Sequence, residues 1–383
     1  MLYPNMTKWF AGLVFFISAS VCNNALAAIE CTVAKQFPAE TSSVVLNGSF
    51  YAGNDLPIGS VLYRTTVKTT GTPGIICGAA FTVPRYLTAA TEPSGSSFSI
   101  SGSPYTGEIY PTNVSGIGVA LWYSGKTFTK NAPLERTSQP YTTDQAGVAF
   151  GTSGIFDISL IKTGPVATGS SVNGISIPTV RMYAGEAAGY AGLPITTWTV
   201  NFSGNIYFTT QTCQTPDLNI TMGSYEVSHY FKGVGSTTPW IDSSIRLENC
   251  PIFSGYHGAN KPQTISGSGT PTGTAITNNV LNVSLQSLTD FISDSNGVFA
   301  VNASNGGSPA TGIGLQLGYT PDINASPTTP TTIWKNGDTW SVTPPDNGTT
   351  NFHIPLAARY YQTSQVVTPG PADGKVIFTI NYQ

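Results

Sequence analysis

Five cysteines, three histidines and a thin scatter of carboxylates are the residues of this chain that could do chemistry. The cysteines stand at Cys22, Cys31, Cys77, Cys213 and Cys250. Zinc ligation would call for close pairs such as C-x-x-C, and these wide spacings contain none. The histidines, His229, His257 and His353, all fall in the second half, and no Ser-His-Asp arrangement stands out around them. The first half holds Glu30, Glu40, Asp55, Glu92, Glu108, Glu135, Asp144, Asp157 and Glu186. A glycosidase needs two acids flanking one bond, and nothing in this spacing singles out a pair. The sequence shows no P-loop, metal motif or dinucleotide fingerprint. The expectation is therefore no catalytic residue, no metal and no cofactor, which leaves disulfide formation as the chemistry of the cysteines.

The compartment supports disulfides. Lys8 precedes an apolar run from Trp9 to Val21, followed by Ala25-Leu26-Ala27-Ala28. This is the pattern of a secretory signal peptide, residues 1–28, too short to span a bilayer. Its cleavage would remove Cys22 and leave four cysteines, an even number in an exported chain. Three pairings are open. A division into two domains favours Cys31–Cys77 and Cys213–Cys250, each closing a loop of about 40 residues and contributing roughly 4 kcal/mol. Loss of Lys8 leaves 15 Lys and Arg against 19 Asp and Glu, a net charge of −4 that argues against nucleic acid as a partner.

The elements that must position these residues read as strands. Only 9% of the chain is charged, and 41 glycines and 27 prolines punctuate it. No convincing helical period appears after the signal, so the expected class is all-β. Period-two alternation marks strands at 43–50, 60–68, 117–123, 155–161 and 195–202. The length suggests two domains, with a junction at Ser203-Gly204: 29–203 closing on the strand 196–202, and 204–383 opening on a strand at 206–213. Gly267–Thr277 reads as a low-complexity surface loop. At the far end Val376, Phe378, Ile380 and Tyr382 alternate on one face. No residues follow to supply a neighbour, so this edge invites a strand from another chain.

Six segments of the second half resemble the pilin domain of chaperone–usher fimbriae. They are Thr212-Cys213, Ile220-Thr-Met-Gly-Ser-Tyr225, Ile245-Arg-Leu-Glu-Asn-Cys250, Thr311-Gly-Ile-Gly-Leu-Gln-Leu317, Pro355-Leu-Ala-Ala-Arg-Tyr-Tyr-Gln-Thr363, and the run from Gly370 to a penultimate Tyr382. Ser243 departs from the pattern, since many pilins carry an aromatic there. In the first half, Thr112-Asn-Val-Ser-Gly-Ile-Gly-Val119 and Ile158-Ser-Leu-Ile-Lys-Thr-Gly-Pro165 resemble segments of fimbrial adhesins. Cys77 is followed by Gly-Ala-Ala-Phe-Thr rather than the Asn-Asp of the mannose-binding type 1 adhesin, so mannose is not implied.

The resemblance implies two immunoglobulin-like β-sandwiches, the C-terminal one a pilin fold lacking its last strand. It implies that Gly370, Val376, Phe378, Ile380, Tyr382 and Gln383 meet first a periplasmic chaperone and then the donor strand of the next subunit, after passage through an outer-membrane usher. About 185 residues precede Cys213 where ordinary pilins have a short donor extension. The implied role is a tip adhesin, exported through the periplasm to the fimbrium tip. Its first domain would bind a host glycan or, alternatively, a matrix protein, or merely cap the tip. A glycan site needs an aromatic platform and polar groups. The candidates are Asp55, Trp122, Glu186 and Tyr190, whose plainer roles are turn residue, core tryptophan, loop acid and loop pin.

Overall fold

The computed structural model describes residues 28–93, 98–101, 105–136, 141–143, 149–304 and 306–383. The signal sequence up to residue 27 and Asp144 lie outside the described residues. The described chain is all-β apart from a four-residue α-helix at Val227–Tyr230 and a single 3-10 turn at Gly174–Ser176. Cys31 is bonded to Cys77 and Cys213 to Cys250.

The first unit is a β-sandwich. One sheet is built on the strand Ile195–Thr209, flanked by Val180–Ala184 and by Glu40–Tyr51. The Glu40–Tyr51 pairing is parallel over twelve residues, from Trp198 opposite Glu40 to Thr209 opposite Tyr51. The facing sheet holds Val61–Lys68, Ile155–Lys162, Ile117–Tyr123 and Gly107–Pro111 in that order. Alternation sets what points inward: Val44, Leu46, Val67, Leu121, Phe156, Ile158, Trp198 and Val200 meet between the sheets. The Ile155–Lys162 strand is buried on both faces. Its Ile161 packs outward with Tyr105, Ile109, Ala120 and Trp122 in a second, smaller cluster.

One expectation about the join is corrected. The strand expected to close at residue 202 and the one expected to open at 206 are a single strand, running unbroken through Ser203-Gly204 and staying paired to Glu40–Tyr51 as far as Thr209. Gly204 adopts φ +79°, and a Cβ there would meet the Leu46 carbonyl at 2.2 Å. The glycine serves close approach of the neighbouring strand, not a break. The Gly267–Thr277 loop is also anchored. Gly267 N–H donates to the Lys68 carbonyl at 2.9 Å, and Gly269 exchanges hydrogen bonds with Ser43 and Val45 at 2.9 and 2.7 Å. Just before it, Gln263–Ser266 pairs in parallel with Val61–Lys68 and covers that sheet's edge. Its Ile265 is buried in the first unit's core.

The second unit is also layered. Ile313–Tyr319 lies between Val298–Ala300 and Leu356–Gln362 in one sheet. Leu281–Ser287 lies between Thr339–Val342 and Val376–Tyr382 in the other. The inward positions of this central strand are Leu281, Val283 and Leu285, which meet Leu315, Leu317, Trp334, Trp340, Ile354 and Leu356 in the core.

Candidate functional site

The strand Val376–Tyr382 pairs antiparallel with Leu281–Ser287, and no strand is paired on its other side among the described residues. In an antiparallel ladder both backbone groups of one residue point the same way and alternate along the strand. Gln383 exchanges hydrogen bonds with Val280 at 2.8 and 2.7 Å, and the Lys375 carbonyl accepts from Leu288 N–H at 3.0 Å. Odd-numbered residues therefore face the partner. Val376, Phe378, Ile380 and Tyr382 turn their N–H and C=O groups to the open side.

Side chains give the same picture. Leu281, Val283 and Leu285 are buried, whereas Ile380 and Phe378, which sit opposite Val283 and Leu285, are only half-buried. The inner face of this layer is thus incompletely covered at its rim. Residues 215–226 run alongside the second core without a strand partner, with Met222 and Tyr225 packed on it and Ile220 exposed. Gly370 is fixed by close packing, because a Cβ would meet Ala310 N at 2.7 Å.

Tyr382 ends the open edge and is buried. Its hydroxyl accepts from Cys213 N–H at 3.0 Å, tying it to the second disulfide. Its ring stacks on Phe253 at 6.2 Å and leans on Tyr51 at 5.8 Å. Its backbone N–H donates to Asp55 Oδ2, while Tyr51 donates its hydroxyl to Asp55 Oδ1 at 2.6 Å. Burial pushes the Tyr51 and Tyr382 phenols up, and the Asp55 charge adds to both. Asp55 is thus engaged at the junction of the two units, a role no local signal announces across 327 positions.

The structure does not gather the four glycan candidates into one site. Trp122 is 5% exposed, donates from Nε1 to Ser159 Oγ at 3.0 Å, and lies between Tyr105 and the Arg64 guanidinium. It is a core residue of the outer cluster. The Tyr190 hydroxyl accepts from Thr82 N–H at 3.0 Å and donates to the Ala80 carbonyl at 3.4 Å, pinning its loop against the first disulfide's cluster. Glu186 is exposed on the same loop. Asn113 and Pro165, from the two adhesin-like segments, line a shallow cleft of about 610 Å³. The Asn113 side chain is engaged there with Ser171, Asn173 and Ser176.

An aromatic surface missed in the sequence lies on the outer face of the first sheet. Tyr183 pairs opposite Tyr86, and their rings stack at 5.5 Å with a 29° interplanar angle, both half-buried. Thr196 and the exposed Glu135 extend this row on either side, with Arg181 exposed nearby. Cross-strand register brings these residues together, which no spacing along the chain reveals. Of the histidines, His257 is buried against Phe50, and His229 and His353 are exposed. Among the described residues no cluster of His, Cys, Asp and Glu could hold a metal ion.

Residues 200–383, just under half of the chain, match the family model for fimbrial proteins. No curated relative matches the sequence. Among solved structures, the CupB6 tip adhesin from Pseudomonas aeruginosa is similar at 14% identity, over 92% of this chain and 94% of that one, with a TM-score of 0.35. The receptor-binding domain of the adhesin MrkD1P of Klebsiella pneumoniae is similar at 17% identity, over 48% and 98%, with a TM-score of 0.26. The CsuC–CsuE chaperone–tip subunit complex of Acinetobacter baumannii gives 10% identity, 92% and 99%, and a TM-score of 0.24.

Proposed function

We propose that the protein is the tip adhesin of a chaperone–usher fimbrium. Its fimbrial domain takes a strand from a partner along the open side of Val376–Tyr382, and its first unit binds a host glycan. The observation that carries this reading is the unpaired row of backbone groups at Val376, Phe378 and Ile380 above half-covered apolar side chains. An extended peptide with alternate apolar residues would complete both the ladder and the layer. A chaperone's strand fills the edge in the periplasm. The usher then exports the subunit, and a neighbouring subunit's strand replaces the chaperone's. The segment before Cys213 is already committed to Glu40–Tyr51 through the parallel pairing, so it is not free to be donated onward. That favours a distal position in the fibre.

For the receptor end, the stacked Tyr86–Tyr183 pair supports the glycan reading. Aromatic faces take the apolar side of a sugar ring, and Glu135 and Arg181 stand ready for its hydroxyls. The strand reading is tested by co-expressing the chain with its fimbrial chaperone and purifying the complex. Phe378→Asp with Ile380→Asp is expected to abolish co-purification, and recovery of the complex would refute the reading. The receptor reading is tested with that complex on a glycan array and on immobilised matrix proteins. Glycan signal lost in Tyr183→Ala is expected. Saturable matrix-protein binding without glycan signal would replace it, and unchanged adherence of cells lacking the protein would leave a structural cap.

A further inference from the structure

We infer that Asp55 caps the strand-accepting edge and makes its occupancy felt in the first unit. The inference rests on the strand-accepting reading above and concerns where the incoming strand stops. Four residues of Val376–Tyr382 face the open side, but only three offer a free N–H. The fourth, Tyr382 N–H, already donates to Asp55 Oδ2. One N–H makes one good hydrogen bond. A partner strand that pairs as far as Ile380 leaves Asp55 in place, and one that continues to Tyr382 must displace it.

Displacement would not stay local. Asp55 sits in a loop clamped onto the facing sheet by Lys162, a residue of the adhesin-like segment Ile158–Pro165 that is buried rather than exposed. Its ammonium donates to the carbonyls of Gly53 and Leu56, the latter at 2.8 Å, and its own carbonyl accepts from Gly59 N–H at 2.8 Å. The loop is closed further by Leu56 N–H to the Gly53 carbonyl at 3.3 Å and by the Tyr51–Asp55 bond. Tyr51 ends the strand Glu40–Tyr51, which is paired along the length of the first sheet. The end of the open edge is thus joined through Asp55 to the strand and the buried cation that organise one side of the first unit.

The test uses the full chain carrying, after Gln383 and a flexible Gly/Ser linker, an alternating Val-Thr strand. The strand is made either long enough to span Val376–Ile380 only or long enough to reach Tyr382 as well. Amide hydrogen exchange is read residue by residue. With the shorter strand, Asp55→Ala is expected to speed exchange at Tyr382 by at least about tenfold, the loss of a bond to a charged acceptor. The longer strand is expected to restore that protection in Asp55→Ala. In the native sequence it is expected to speed exchange at Leu56 and Gly59 relative to the shorter one. Should Asp55→Ala not fold, Asp55→Asn keeps a weaker, neutral acceptor and is expected to show the same direction with a smaller change. Unchanged exchange at Tyr382 in the variants, or loop amides indifferent to strand length, would overturn the inference. If neither strand slows Val376, Phe378 and Ile380, the failure lies instead with the strand-accepting reading.

Discussion

Ile265 lies in the fimbrial half of the sequence, yet its side chain is 8% exposed within the first unit's core. Replacing it with alanine should therefore destabilise the first unit, not the second. Truncating a buried isoleucine to alanine costs about 2–4 kcal/mol, the upper end applying where the site cannot collapse. Collapse is restricted here, because Gln263–Ser266 is held from both sides of its sequence. Its backbone pairs with Thr65 to Lys68, Gln263 Oε1 accepts from the Tyr63 hydroxyl at 2.9 Å, and Ser266 Oγ donates to the Thr69 carbonyl at 3.1 Å. For a unit of this size each kcal/mol moves the melting midpoint by about 2–4 °C, so a fall of roughly 5–15 °C is expected. The assay is thermal unfolding of the chaperone-bound chain, with exchange at amides of Ile155–Lys162 and Ile313–Tyr319 reporting the two units separately. Loss of protection should appear in Ile155–Lys162. Loss confined to Ile313–Tyr319, or none in either, would refute the claim that this strand belongs to the first unit, beside Val61–Lys68. The same reasoning applies to a fragment ending at residue 209. It lacks the cover on Val61–Lys68 and is expected to be less stable and more prone to associate than the full chain.

Further outcomes follow from the same contacts. Trp122→Ala should destabilise the first unit by about 3–5 kcal/mol in chemical unfolding, as a buried aromatic does, while glycan signal per folded molecule stays unchanged. Breaking either disulfide with Cys77→Ser or Cys250→Ser should cost about 2–5 kcal/mol and leave one thiol that reacts with a thiol reagent once unfolded. Burial holds the phenols of Tyr51, Tyr63, Tyr105 and Tyr382 above their ordinary value. In the unfolded chain they ionise near pH 10, so the unfolded state binds fewer protons above that pH. Stability should be flat with respect to these groups below about pH 10. Above it, stability should fall by up to about 1.4 kcal/mol per pH unit for each phenol, measured as the denaturant midpoint against pH. A midpoint that rises between pH 10 and 11 would contradict the burial of these side chains.

Much of the fold is legible because strands with one apolar face announce themselves. The expected 60–68, 117–123 and 155–161 runs return as Val61–Lys68, Ile117–Tyr123 and Ile155–Lys162. What the chain order hides is pairing across distance. Ser203-Gly204 carries the composition of a turn, but Gly204 is small because Leu46 lies against it. Gln263–Ser266 is too short to stand out, and its partner lies some 200 residues away in sequence. Trp122 reads from sequence both as a ligand platform and as a core residue. The second cluster outside the main sandwich decides for the core, and alternation on a strand apolar on both faces cannot tell which way it turns. Tyr86 and Tyr183 carry no joint signal, since only register makes them neighbours.

The open edge itself is readable from Val376, Phe378, Ile380 and Tyr382, yet the four are not equivalent. Three are half-buried with free backbone groups, and these are the positions where a partner strand gains both hydrogen bonds and apolar cover. Tyr382 is already satisfied three ways, by Cys213 at its hydroxyl, by Phe253 and Tyr51 at its ring, and by Asp55 at its N–H. A residue so fully engaged gains little from a partner and loses a charge-assisted bond if one arrives. The edge therefore has a direction. Affinity for an incoming strand is concentrated at Val376 to Ile380, and the Tyr382 end resists it. Substitutions at Phe378 should weaken complex formation far more than the conservative Tyr382→Phe, which removes only the bond to Cys213 and leaves the ring contacts. Competition between the two variants and the native chain for a limiting amount of chaperone would measure the gradient, and equal losses at both positions would show that the edge binds uniformly.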